Sequence, residues 1–239
     1  GIPIPVVLTG AQLPIEHPLT DGVDNLRTAL AMAASGRPGV FLAFNRKVML
    51  GCRAVKTHTT DFGAFDSVNW PLAAVVNGSG LVFRQEALPP AAEPCVLRDR
   101  LCQEVFLIKL TPGLDPEVFD MLLKMHYRGV VIEKPHAAAR AGMAVVVCSQ
   151  CLYESSNFTL YQAGQKALAH GIIQGYDMTT EAAVTKLMWA LGQTDNLDEV
   201  RALFARSLRP SSRSASCVIA QSPSSSTTAC GSPGSPSSR

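Results

Sequence analysis

Long apolar runs are missing from this 239-residue sequence. None approaches the roughly 18 consecutive residues that a membrane-spanning helix needs, so no membrane partner is expected. One-sided charge is missing as well. The 21 basic and 19 acidic residues leave a net charge of +2, and no basic stripe argues for a nucleic-acid partner. The first residues lack the charged segment and long apolar stretch of a secretory signal. They also lack a methionine: the chain opens on Gly1 and its first Met is Met32, which reads as a sequence without its native translation start. Charged residues are scarce, at 17% against 47% hydrophobic. That balance excludes a disordered chain and leaves a globular one with ample core.

Paired metal-ligand motifs are absent too. Seven cysteines, an odd number, stand scattered at 52, 95, 102, 148, 151, 217 and 230. Such usage suits free thiols in a reducing compartment, hence a cytoplasmic location, better than a disulfide framework. Cys148-Ser149-Gln150-Cys151 is a C-x-x-C. A redox reading needs it to open a helix after a strand, and a zinc reading needs a second ligand pair. Neither companion is found, so the pair reads as two small thiols ending a strand, Met143–Val147. No metal and no cofactor are expected.

What is present is an alternation of short apolar runs and amphipathic stretches, which predicts an α/β fold. Pro5–Leu8 and Gly39–Phe44 read as strands, with a helix from about Val23 to Ser35 between them whose Leu26, Ala29, Leu30 and Ala33 keep the 3.6-residue period. Asp21 reads as the N-cap, capping is the simplest role for at least one of Asp21 and Asn25, and Gly36 reads as the stop. Val48–Leu50 continues extended, and Gly80–Phe83 follows the turn pair Asn77-Gly78. Prolines crowd the next stretch, and a linker is placed at 88–98. Beyond it, Val105–Leu110 reads as a buried strand, Asp115–Met125 as a helix with Pro116 in its first turn, and Gly129–Ile132 as a parallel strand. Only Glu133 to Gly142 then separates Gly129–Ile132 from Met143–Cys148, short for a crossover that normally needs a dozen residues or more. Helices are predicted over Leu160–His170, Thr179–Leu191 and Leu197–Leu208, the second capped by Thr179 or Thr180 with Glu181. The last 31 residues, 209–239, are Ser-rich and too poor in apolar groups to fold alone.

The densest run of hydrogen-bonding side chains before that tail is Val55-Lys56-Thr57-His58-Thr59-Thr60-Asp61-Phe62-Gly63-Ala64-Phe65-Asp66-Ser67. A lysine just past a buried strand sits where α/β sheets place chemistry. Taken alone it is more simply a solvated loop lysine.

The run resembles the lysine-bearing segment of bacterial-type L-asparaginases, T-K-x-x-x-x-D-x-x-A-F-x-S. Leu8-Thr9-Gly10-Ala11-Gln12-Leu13-Pro14 with Asp21-Gly22-Val23-Asp24-Asn25-Leu26 resembles that family's T-G-A-Q-x-P and D-G-x-x-N-L. Gly175-Tyr176-Asp177-Met178-Thr179-Thr180-Glu181-Ala182-Ala183 with Thr185-Lys186-Leu187 resembles its G-x-D-M-T-x-E-A-x-x-T-K-L. The matches fall in family order from about Pro5 to Leu208, and they lean toward the cytoplasmic type I.

The resemblance implies two domains with mostly parallel sheets flanked by helices. Residues 1–87 would be the later part of the N-domain, and 99–208 a smaller flavodoxin-like C-terminal domain whose crossover has lost a G-x-G-N loop. It implies hydrolysis of L-asparagine to L-aspartate and ammonia by a threonine nucleophile, with a second threonine, an aspartate and a lysine relaying the proton. Lys56 matches the lysine. Ala11 matches the position whose carbonyl lies by the substrate amide. Cys151, in S-Q-C, matches a region where some members bind a regulatory asparagine. A homodimer or homotetramer is implied as well.

The family's T-G-G-T and G-T-D-T, which carry the nucleophile and its partners, occur nowhere in the sequence. The chain therefore reads as an N-terminally truncated member that keeps the lysine and lacks its partners. Two alternatives stand beside it. One is a non-catalytic remnant that binds an amino acid or a homologous subunit. The other is a related glutaminase or amidotransferase subunit. The chain as given is expected to be inactive and poorly folded, with an unpaired edge at Pro5–Leu8 and a buried Lys56 deprived of its counter-charge.

Overall fold

The computed structural model describes residues 2–89, 94–133, 142–156, 158, 165, 168 and 171–206. Among the described residues eleven strands, β1 to β11, fall into two main sheets and one hairpin. The first sheet has the order β1-β2-β3-β6-β7, built from Pro5–Leu8, Gly39–Phe44, Lys47–Leu50, Ala74–Asn77 and Gly80–Phe83. β1 and β2 run parallel, joined through helix α1, Gly22–Ala34, while β2/β3, β3/β6 and β6/β7 are antiparallel. Connection length sets this mixture. Asn45 and Arg46 alone link β2 to β3, and so short a turn can only reverse the chain. Both take left-handed backbone angles there, with φ of 48° and 60°.

The second sheet is parallel throughout, in the order β11-β10-β9-β8: Ile173–Gln174, Ala144–Cys148, Gly129–Glu133 and Val105–Lys109. Its middle strands are buried on both faces, and a continuous Val-rich run suits that position. β8 is an edge strand. Phe106 and Leu107 are exposed on it, so the expectation of a fully buried strand over Val105–Leu110 fails for want of cover at the edge. Helix α2, Glu117–Lys124, and helices α3, Thr180–Gln193, and α4, Leu197–Ala205, pack around this sheet. β9 and β10 pair in parallel despite the short connection between them. Residues 134–141 of that connection, most of the predicted helix Leu160–His170 and the 209–239 tail lie outside the described residues.

Close packing at one glycine fixes how α3 meets the 100–102 segment. The methyl of an alanine at Gly192 would overlap the Arg100 carbonyl and come within 2.9 Å of the Leu101 Cα. These are backbone atoms with no rotamer to yield. Alanine would gain about 1 kcal/mol of helix propensity, but overpacking costs roughly 1–3 kcal/mol, so Gly192→Ala is expected to lower the denaturation midpoint. A raised midpoint would show that the helix does not press on this backbone.

The outer rim of the first sheet is apolar. Val6 and Leu8 on β1, and Leu26 and Leu30 on α1, are exposed, with Leu8 at 53% and Leu30 at 60%. β1 is the edge strand there, as the sequence led us to expect.

Candidate functional site

Lys56 ends β4, Ala54–Lys56, which pairs antiparallel with β5, Phe65–Ser67, so that Lys56 faces Phe65 across the hairpin. Phe65 anchors the hairpin. Its ring packs on Phe44 at 5.1 Å between centroids, beside the buried Met49 and Ala64. The Lys56 ammonium lies 5.9 Å from the Phe65 ring centre. It is exposed, and no carboxylate among the described residues comes within ion-pairing distance of it. The expected buried, stranded charge is therefore corrected: a hairpin rim hydrates the ammonium, and burial imposes no cost.

The carboxylates nearby are engaged elsewhere. Asp66 faces Lys47 at 3.4 Å and accepts a bond from the Thr57 hydroxyl at 3.3 Å. Thr57 Oγ1 also lies 3.0 Å from His58 Nδ1. Asp61 turns back to accept from the Gly63 amide at 2.6 Å.

Ala11 sits on the exposed loop after β1, and this loop meets the hairpin. The Gln12 side-chain amide donates to the carbonyls of Thr59 and Asp61 at 2.8 and 2.9 Å. From the other side the Asp21 carboxylate accepts the backbone amides of Gln12 and Leu13 at 2.9–3.1 Å, and the Asn25 side-chain amide at 2.8 Å. Asn25 is buried. It also donates to the Gly10 carbonyl and accepts from the Asn45 amide. The capping expectation is corrected here. Asp21 occupies the N-cap position of α1 but makes no side-chain cap bond, because its oxygens are spent on the 12–13 backbone. The i, i+4 spacing of Asp21 and Asn25 put both on one face of the helix start, a signal that capping alone did not use.

Among the described residues, Cys151 reaches the hairpin only through Val55 of β4, across a cavity. It is exposed, and with Val55, Glu133, Thr179, Thr180 and Glu181 it lines a cavity of about 500 Å³. The cavity opens at the carboxyl ends of β9 and β10, where parallel sheets leave room for ligands. Thr179 caps α3, its hydroxyl accepting from the Ala182 amide, whereas Thr180 donates to Glu133 at 3.0 Å. Cys148, the other half of the C-x-x-C, is buried. Burial first, then the charges of Glu133 and Glu181, push its thiol up to about 12, which keeps it protonated and inert near neutrality. Lys186 in α3, a half-buried cation, shows the opposite tendency. Burial pulls its ammonium down to about 8, while it donates to the Arg206 carbonyl at 3.0 Å and lies over the Phe204 ring.

One further pair escaped the sequence. Arg53, fully buried, donates to the Asp177 carbonyl at 2.8 Å and meets its carboxylate at 3.2 Å. Asn69 donates to the same carbonyl and accepts from the Glu154 amide. These bonds join the Lys56 side of the molecule to the loop before α3. Partners 124 positions apart leave no local signature.

Comparison with known proteins bears on this arrangement. Residues 1–89 match the family model for "Asparaginase, N-terminal", and residues 104–204 the one for the glutaminase/asparaginase C-terminal domain. The chain is 40% identical over 220 residues to an L-asparaginase of Thermococcus kodakarensis, a match that covers 86% of this chain and 67% of that protein. It is 33% identical over 222 residues to a glutamyl-tRNA(Gln) amidotransferase subunit of Pyrococcus abyssi, covering 84% and 51%. The chain thus spans about two thirds of the first relative and about half of the second. Among solved structures, the thermostable L-asparaginase from Thermococcus kodakarensis superposes with a TM-score of 0.81 at 38% identity, covering 89% of this chain and 69% of that one. L-asparaginase I from Vibrio cholerae gives 0.75 at 27%, covering 89% and 68%. The two-sheet α/β fold is asparaginase-like.

Proposed function

The chain belongs to the asparaginase family, and from that premise we propose that it is part of an amidohydrolase that cleaves the side-chain amide of L-asparagine. In this reading Lys56 supplies the positive charge that keeps a relay carboxylate ionised, and the Ala11 carbonyl receives the substrate amide. The threonine that attacks the amide carbon belongs to polypeptide outside these 239 residues. Attack forms an acyl-threonine and releases ammonia, and water then frees aspartate and restores the hydroxyl. A hydroxyl needs its proton removed as the bond forms, which is the task of a relay built around the lysine. The observation that carries the reading is the Gln12 side chain, which ties the Ala11 loop to the tip of the Lys56 hairpin.

Two details extend it. The cavity beside Cys151 is the place for a regulatory amino acid, and assembly into a homodimer or homotetramer in the cytoplasm fits the family. A second reading rests on the likeness to the Pyrococcus amidotransferase subunit, under which the same groups would release ammonia from glutamine. The test compares ammonia release from L-Asn and L-Gln by two proteins: the 239-residue chain and the longest in-frame product of its gene. Release by the longer product alone, faster with Asn, is the expected result. Preference for Gln would favour the second reading. Steady turnover by the 239-residue chain would refute an external nucleophile.

A further inference from the structure

We propose that Gln12 is a positioning residue: it sets the distance between the Ala11 carbonyl and the Lys56 hairpin, and the Asp21–Asn25 pair holds it in place. This deepens the functional reading above and rests on it.

The hydrogen bonds bracket Ala11 closely. On one side the Gly10 carbonyl is held by the Asn25 side-chain amide at 2.9 Å. On the other, the Gln12 and Leu13 amides are held by the Asp21 carboxylate. Thr20 Oγ1 donates to the Leu13 carbonyl at 3.0 Å, and Thr9 Oγ1 to the Ala43 carbonyl at 2.8 Å. Between these clamps the Ala11 carbonyl accepts no hydrogen bond among the described residues. A loop pinned on both sides of one unused acceptor is built to present that acceptor.

Presentation alone would not place it against Lys56, which belongs to another segment. Gln12 makes that link. Its partners are both carbonyl oxygens, so the amide nitrogen must face them, and its two N–H groups can serve both at once. Thr59 and Asp61 stand four and two residues before Gly63 in the hairpin tip. That tip is closed below by the Thr57 and His58 amides donating to the Ala64 carbonyl. The chain of contacts runs from Asn45 through Asn25, Asp21 and Gln12 to Thr59 and Asp61. Each link is a side chain bonded to backbone or to the next side chain. The position needs a side chain of this length that ends in a double donor. Glutamate has the same shape but would turn a carboxylate oxygen toward two carbonyls.

Gln12→Glu and Gln12→Met, made in the longest in-frame product, test the idea. Amide hydrogen exchange over residues 56–65 is compared with exchange over β9, and kcat and KM for L-Asn are measured alongside. We expect exchange at Thr57, His58 and Gly63 to accelerate at least about tenfold in both variants while β9 is unchanged. We also expect kcat to fall by about 100-fold, the scale on which a displacement of about 1 Å acts, with KM and the melting temperature little altered. Unchanged exchange would overturn the tie. Accelerated exchange with normal kcat would overturn positioning as its role. If the unsubstituted protein releases no ammonia from either amino acid, the functional reading fails by itself, and exchange alone then decides whether Gln12 couples the two segments.

Discussion

Arg53→Met is expected to lower the stability of this protein by about 3–5 kcal/mol, the usual consequence of removing one partner of a buried ion pair. The Arg53 side chain is 0% exposed and that of Asp177 6%, so water cannot take the guanidinium's place beside the carboxylate. Typical domains hold only about 5–15 kcal/mol in total, and a loss of this size would leave a large unfolded fraction. The double variant Arg53→Met with Asp177→Leu should recover much of it, since apolar groups of similar volume often replace a buried pair at little net cost. Equilibrium denaturation with tryptophan fluorescence reads both halves of the fold. Trp70 lies 5.4 Å beneath the Arg53 guanidinium, and Trp189 belongs to the core around α3. An Arg53→Met midpoint equal to that of the unsubstituted chain would mean the pair adds nothing across this contact.

Lys56→Met should behave in the opposite way. Lys56 is exposed and ion-pairs with no described residue, so its loss should move stability by no more than about 0.5 kcal/mol, as for other surface changes. Activity should suffer heavily. Positioned proton-transfer groups contribute roughly 10²–10⁴ to rate, and a relay charge acts mainly in the transition state. In the longest in-frame product the variant should therefore lose about that factor in kcat, with a much smaller change in KM. Ammonia release followed over a range of L-Asn concentrations separates the two constants. A near-normal kcat would remove Lys56 from the mechanism. Together the two variants dissociate a residue that holds the fold from one that acts within it, although only three positions separate them in the chain.

Several features were legible in the sequence because they arise locally. The strand Gly39–Phe44 matches its observed bounds, α1 lies within a residue of its predicted span, and Thr179 caps α3 as the capping pattern implied. Gly36, past the end of α1, takes a φ of 68°, the left-handed angle expected of a helix stop. Lys56, Ala11 and Cys151 each stand in a contiguous run of residue types, so motif alone is enough to propose them, and their roles remain proposals.

Other features were decided only by tertiary contact. Whether a charge is buried depends on what packs over it, and for Lys56 the hairpin rim leaves it open. Nothing in the residues around Arg53 signals its burial, and its partner, Asp177, lies in a motif 124 positions away. Asp21 has the residue type and place of a helix cap, yet the neighbouring 12–13 amides offered it bonds that the helix start did not. Hydrophobic period and turn chemistry act over a few residues, so one sequence window suffices to read them. Ion pairing, burial and the joining of the Ala11 loop to the Lys56 hairpin depend on groups that only chain folding brings into contact.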